Sequence, residues 1–294
     1  MSRKTKAGGW SAEDCEILFD ESQEIEINRR DVRAMRTKTT RHGPLIDVEI
    51  FPVWNNRGTR EKAIRQRDSM KEAQLRCSLR KSKARLVQLA NCNFGPGDCM
   101  VSPTPFRAAD EADARRKIRN YLRRLKRLWG EKDFKYIYTL EWTESAANGI
   151  RWHAHILLNA AGIDRDAIEG LWKESACNTR RYSYNEQGFG ALAGYLKIEK
   201  QGRKKYPGTP DDEIHGKAGK RIWNASRNLT EPIVTRSDHR VTVRKAERIA
   251  RALDAEGREI LEKAYAGYRI VGEVECHGSD WVPGVYLRAR LRRD

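Results

Sequence analysis

Two histidines separated by one alanine stand at positions 153 and 155, in the stretch IRWHAHILLN of residues 150–159. Trp152, Ala154, Ile156 and Leu158 alternate with Arg151, His153, His155 and Leu157. A period of two marks a half-buried strand, in which residues i and i+2 leave the same face. Both imidazoles therefore project from one side, with an apolar row on the other. Imidazole is a common metal ligand, but H-x-H alone is a weak motif, and a pair of exposed strand histidines is the plain alternative.

A third ligand strengthens the case. FKYIYTLEWT (134–143) reads as a second strand, with Phe134, Tyr136, Tyr138, Leu140 and Trp142 on one face and Lys135, Ile137, Thr139 and Glu141 on the other. Residues 144–150 contain Asn148-Gly149, a turn dipeptide. A hairpin about that turn sets Trp142 opposite Trp152 and Glu141 opposite His153. Directly opposed Cβ atoms lie ~4.5–5.5 Å apart, within reach of one ion bound at ~2.0–2.2 Å by imidazole and carboxylate. A solvated strand glutamate is the alternative for Glu141. Three protein ligands leave coordination positions open, as in catalytic rather than structural sites, and an open ion can polarise phosphate oxygens as a Lewis acid.

The surrounding chain is strongly basic. Lys and Arg number 58 against 41 Asp and Glu, a net charge of +17 over 294 residues. Such a surplus points to a polyanionic partner, nucleic acid before an anionic membrane; an unspecialised basic surface is the alternative. No apolar run approaches ~18 residues, so no transmembrane helix is expected. The N-terminal MSRKTKAGGWSAEDCEILFDE lacks the apolar core of a signal peptide. Cys15, Cys77, Cys92, Cys99, Cys177 and Cys276 form no C-x-x-C pair, so free thiols in a reducing bacterial cytoplasm are expected.

The elements that must position the three ligands follow from periodicity. A strand is expected over Leu45–Phe51 and a charged helix over 59–91, which NFGPGD ends. CMVSPTPF (99–106) reads as a short strand, interrupted by Pro103 and Pro105 and therefore edge-like. Residues 110–130 form an amphipathic helix, with Ile118, Tyr121, Leu122, Leu125, Leu128 and Trp129 on its apolar stripe, Asp110 at its start and Gly130 at its end. Eight of its residues 115–127 are Lys or Arg, either a DNA-tracking face or a solvated exterior. Helices are expected over 164–173, 188–200 and 243–267, and a strand over 284–291, with 200–228 a basic loop. The order implies an α+β fold whose antiparallel β-sheet carries the histidines between flanking helices. The domain division expected is an N-terminal region 1–90, a catalytic domain 91–235 and a C-terminal extension 236–294.

WHAHILL resembles the His–hydrophobic–His motif of the HUH endonucleases, the superfamily of rolling-circle replication initiators, relaxases and related transposases. NFGPGDCMVSPTP resembles their first motif, YIYTLEW the strand bearing the acidic ligand, and LAGYLKIEK the nucleophile helix. GKRIWNASRNLTEP and DWVPGVYLRARLRR are similar to segments of replication initiators from phages and integrative elements of Gram-positive bacteria. The resemblance spans roughly residues 43–294 and implies a ferredoxin-like catalytic domain. It further implies Glu141, His153 and His155 as ligands for Mg²⁺ or Mn²⁺. Tyr195 matches the nucleophile, which in the family attacks a single-stranded DNA phosphate to give a 5′-phosphotyrosyl link and a free 3′-OH; a core tyrosine is the alternative. Residue 198 is Ile where the family often has Lys, so Lys197 and Lys200 are the flanking cations, and Tyr182 and Tyr184 are fallback nucleophiles.

Within GKRIWNASRNL (219–229), Arg221 and Arg227 are expected on phosphates and Trp223 as a stacking platform, or as a buried loop tryptophan. The function implied is a replication initiator that nicks and rejoins origin DNA in rolling-circle replication. Its expected partners are single-stranded DNA, origin hairpin DNA, and host helicase and polymerase, with the protein a monomer or transient dimer. A transposase or relaxase with the same chemistry, or a non-catalytic DNA-binding protein keeping the fold, are the alternatives.

Overall fold

The computed structural model describes residues 15, 32–55, 71–130, 133–145, 149–182, 185–190, 223–278 and 283–294. The strands in chain order are β1 (Val32–His42), β2 (Leu45–Trp54), β3 (Cys99–Pro103), β4 (Tyr136–Ser145), β5 (Gly149–Leu158), β6 (Cys177–Arg181), β7 (Trp223–Ala225), β8 (Ile233–Ser237), β9 (Tyr268–Ile270), β10 (Glu275–His277) and β11 (Tyr286–Arg293). The helices are α1 (Lys71–Asn93), α2 (Glu111–Trp129), α3 (Arg165–Gly170), α4 (Val243–Arg251) and α5 (Glu256–Ala264). They group into two units, Ser82–Glu231 and the combination of Met1–Lys81 with Pro232–Asp294, with the boundary inside α1.

The unit 82–231 is built on an antiparallel sheet in the order β6-β3-β5-β4-β7. Its apolar face follows from alternation: Tyr138, Leu140, Trp152, Ala154, Ile156 and Leu158 are buried there. The α2 stripe of Ile118, Tyr121, Leu122, Leu125 and Trp129 shares that core, each large side chain contributing about 1.5–3 kcal/mol by leaving water. Asp110 caps the helix by accepting the Asp113 N–H at 2.7 Å, and Gly130, at φ 60°, ends it. Leu128 departs from the expected stripe. It is 40% exposed, because its position falls at the margin of the arc that faces the sheet.

The proline-bearing strand corrects a second expectation. β3 is interior rather than edge, pairing with β5 through Cys99–Val101 and with β6 along its whole length. The ladder to β5 stops before Pro103, so the missing proline N–H costs no bond to β5. The chain then rejoins β5 at Phe106, which exchanges backbone bonds of 2.7 and 2.8 Å with Trp152. Five residues on this side, from Val101 to Phe106, thus span four on β5, from Ile156 to Trp152. That is a one-residue bulge. Upstream, the buried Asp98 carboxylate accepts the N–H groups of Gly95 at 2.8 Å and Ala161 at 3.0 Å. It ties the NFGPGD loop to the chain leaving β5.

The other unit holds a second antiparallel sheet, β10-β11-β2-β1-β8, with β9 on β11. Ile46, Val48 and Ile50 of β2 and Leu287 and Leu291 of β11 pack with Ile249 of α4 and Leu261 of α5. β2 pairs with both β1 and β11, so strands read from the sequence as separate N- and C-terminal extensions share one sheet. The single helix expected over 243–267 is two. Gly257 donates its N–H to Ala252 O at 2.7 Å, and a Cβ there would stand 2.6 Å from that oxygen. The backbone contact that reverses the chain admits only glycine.

Candidate metal centre

The β4–β5 hairpin has the register expected from its symmetry: Glu141 lies opposite His153 and Trp142 opposite Trp152. Gly149, at φ 61°, closes it on the β5 side. Alternation buries Trp152 and Ala154 against α2 and sends His153 and His155 to the reverse face together with Thr139 and Glu141. His153 Nε2 lies 3.0 Å from Glu141 Oε2, and the two imidazole centroids are 5.6 Å apart. Ligand atoms of Glu141, His153 and His155 all fall within 4.8 Å of one another.

The donor set fits a divalent ion. Two ligands at ~2.1 Å and right angles around one ion are about 3 Å apart, the separation of the Glu141 and His153 atoms. Ser102 Oγ lies 3.3 Å from His155 Nδ1. An N–H on Nδ1 donating to that hydroxyl leaves Nε2 as the ring's candidate ligand atom, the outer-sphere support usual for metal-binding histidine. Two buried polar atoms nearby, Thr139 Oγ1 and His153 Nδ1, have no hydrogen-bond partner among the described residues. Buried polar atoms are normally paired, so unpaired ones beside a carboxylate and two imidazoles mark a face made for a ligand.

Ser102 and Thr139 belong to this face and were not singled out from the sequence. Thr139 alternates with Glu141 and could have been. Ser102 required knowing that β3 lies beside β5. The bulge matters here as well, because a continuous ladder would bring Thr104 beside His153. Instead Thr104 turns outward and bonds Ala176 O through both its N–H and its hydroxyl, at 2.9 and 2.8 Å.

The remaining candidates separate. Tyr195, Lys197, Lys200, Tyr184 and Arg221 lie outside the described residues. Tyr182 stacks on Phe189, centroids 4.5 Å apart, and donates its backbone N–H to Asp98 O. Asp98 is four residues from Ser102, so Tyr182 sits about 13 Å along the strand direction from the level of His155. Trp223 opens β7 opposite Thr139, half-buried, its indole N–H directed at Ser82 O (3.2 Å) and Oγ (3.1 Å). Arg227 parts from it. Arg227 is exposed and lines a cleft with α2, on the face that α2 covers.

Burial raises the pKa of the Tyr136 hydroxyl, with the Tyr138 hydroxyl adding to the shift and Arg227 opposing it. All six cysteines are free, and no helix among the described residues is long and apolar enough to cross a membrane. No curated protein and no solved structure gives a significant match to the chain. Residues 99–200, about a third of the chain, match the family model of the replication-associated protein ORF2, so the segment bearing Glu141, His153 and His155 is similar to proteins of DNA replication.

Proposed function

We propose that this protein is a metal-dependent DNA endonuclease and strand transferase that initiates rolling-circle replication by nicking single-stranded origin DNA and later rejoining the ends. The observation that carries the reading is the convergence of Glu141, His153 and His155 on one sheet face, inside the segment similar to replication-associated proteins. Bound there, Mg²⁺ or Mn²⁺ would supply Lewis-acid polarisation of the scissile phosphate. The protein's own contribution is rigidity: two ligands leave β5 two residues apart, the third faces them from β4, and the ladder beneath is continuous from Tyr136 to Ser145.

Tyr195 is the proposed nucleophile. Its oxygen bonds phosphorus as its proton departs, the bond from phosphorus to the 3′ oxygen breaks, and that oxygen leaves protonated as a 3′-OH. The reverse sequence rejoins DNA. Tyr182 is less suited, since its ring is held in a stack and lies far along the strand direction from His155. Lys197 and Lys200 are proposed as the cations that help a phenol of pKa ~10 to react.

The test is incubation with 3′-labelled single-stranded origin-like DNA and Mn²⁺, followed by denaturing electrophoresis. A denaturant-resistant protein–DNA adduct is expected from the wild type, and none from Tyr195→Phe or with EDTA present. An adduct mapped to Tyr182 or Tyr184 would displace Tyr195 and leave the metal reading standing. Binding without any nick or adduct would favour a non-catalytic DNA-binding protein instead.

A further inference from the structure

The cleft lined by Arg227 has no role in the chemistry above. It measures 910 Å³ and lies between α2, the start of β4 and the turn after β7. Arg116, Arg119, Arg123 and Lys126 enter it from one stripe of α2, and Arg227 closes it from the other wall. From Arg116 to Lys126 the helix rises about 15 Å. Asp133 is the one acid in the lining, and it is engaged by Asn228 and by Lys135 at 3.4 Å. Arg116 pairs with Asp113 at 2.6 Å, whereas Arg119, Lys126 and Arg227 have no ion pair among the described residues.

An ordinary solvated helix mixes signs so that i,i+4 pairs attract. Here Arg115, Arg119, Arg123 and Arg127 repeat the same sign at that spacing, with no acid between Arg115 and Arg127. The repulsion has no internal remedy on the helix, and a polyanion supplies one. The floor adds an aromatic element: Tyr136 is half-buried in the cleft beside Phe134, ring centroids 5.5 Å apart. Cations along a groove with an aromatic ring at its base suit unpaired nucleotides, whose bases are free to stack, better than a duplex, whose bases are enclosed.

We propose that this cleft is a second binding surface for single-stranded DNA, on the face of the sheet opposite the metal centre. α2 packs on Tyr138, Leu140, Trp152 and Ala154, which alternate with Thr139, Glu141, His153 and His155. A strand in the cleft is therefore separated by the sheet from a phosphate at the metal centre, and the protein can hold one stretch of DNA while acting on another. The proposal takes the identity of the polymer from the replication reading but does not depend on nicking.

The test is fluorescence anisotropy with a labelled oligothymidylate and a labelled duplex, in EDTA so that no cleavage occurs. Arg119→Glu/Lys126→Glu/Arg227→Glu is compared with Arg236→Glu/Arg244→Glu/Lys245→Glu, an equal charge change at exposed positions outside this unit. The cleft variant should lose about tenfold or more in oligothymidylate affinity relative to the control. Its log–log salt slope should be shallower by roughly 2, near 0.7 for each of three phosphates released. The neutral variant Arg119→Gln/Lys126→Gln/Arg227→Gln should show a smaller loss in the same direction. Equal affinity of cleft variant and control, or a loss confined to the duplex, would overturn the proposal. An absence of phosphotyrosyl adduct would overturn only the nicking mechanism.

Discussion

Glu141 is 5% exposed, and a carboxylate so far from water is costly unless hydrogen bonds or an opposite charge meet it. His153 meets one oxygen at 3.0 Å, and the site's chemistry predicts that an ion completes the neutralisation. Glu141→Gln keeps the shape and removes the charge, so calorimetric Mn²⁺ affinity should fall by at least about tenfold, the lower end of what even outer-sphere support contributes. His153→Ala and His155→Ala should each abolish Mn²⁺ binding and adduct formation. Both side chains leave an already packed strand, so thermal melts should shift little. Either variant nicking at the wild-type rate under limiting metal would sink the metal-centre reading. Ser102→Ala should weaken Mn²⁺ about tenfold with smaller effect on the melt, because Ser102 acts only by orienting the His155 ring.

The strands and helices that hold these residues divide into those written in local pattern and those created by neighbours. α2 belongs to the first kind. Leu125 is fully buried while Leu128, three residues on, is 40% exposed. Leu125→Ala should therefore cost about 2–5 kcal/mol in denaturant unfolding, against roughly 0.5 kcal/mol or less for Leu128→Ala. A comparable cost for both would mean that the helix packs on another face. β1 and β6 belong to the second kind. On β1 the inward positions are Met35, Thr37 and Thr39, and Thr39 bonds the Tyr265 hydroxyl at 2.6 Å; two threonines out of three give no hydrophobic alternation. On β6, CNTRR, only Thr179 is buried, and the strand exists through its pairing with β3.

Over the whole molecule, the net charge of +17 makes phosphate contact the expected source of DNA affinity. Each phosphate neutralised on a single strand contributes a log–log salt slope of about −0.7. A footprint of five cations thus gives a slope near −3.5, a loss of roughly 10²-fold between 50 and 200 mM salt. A flat response in anisotropy titrations would contradict a backbone-tracking surface anywhere on the protein. The charge is spread over both units, but within unit 82–231 the basic stretch 115–127 lies on the sheet face away from the candidate ligands.

What the sequence determined by itself is the β4–β5 hairpin and its chemistry. Strict alternation assigns each residue a face, a short turn fixes the register, and the two together place Glu141 against His153 without any long-range information. The helix α2 was legible for the same reason, since its stripe and both ends are local signals. The interior place of β3 was not, because a proline argues for an edge and only the bulge between Val101 and Phe106 resolves the conflict. The tertiary structure alone decided that Ser102 reaches His155, that Arg227 joins α2 rather than Trp223, and that both ends of the chain share one sheet. Each of these joins residues far apart in sequence, and no local period records which strand a distant segment will pair with.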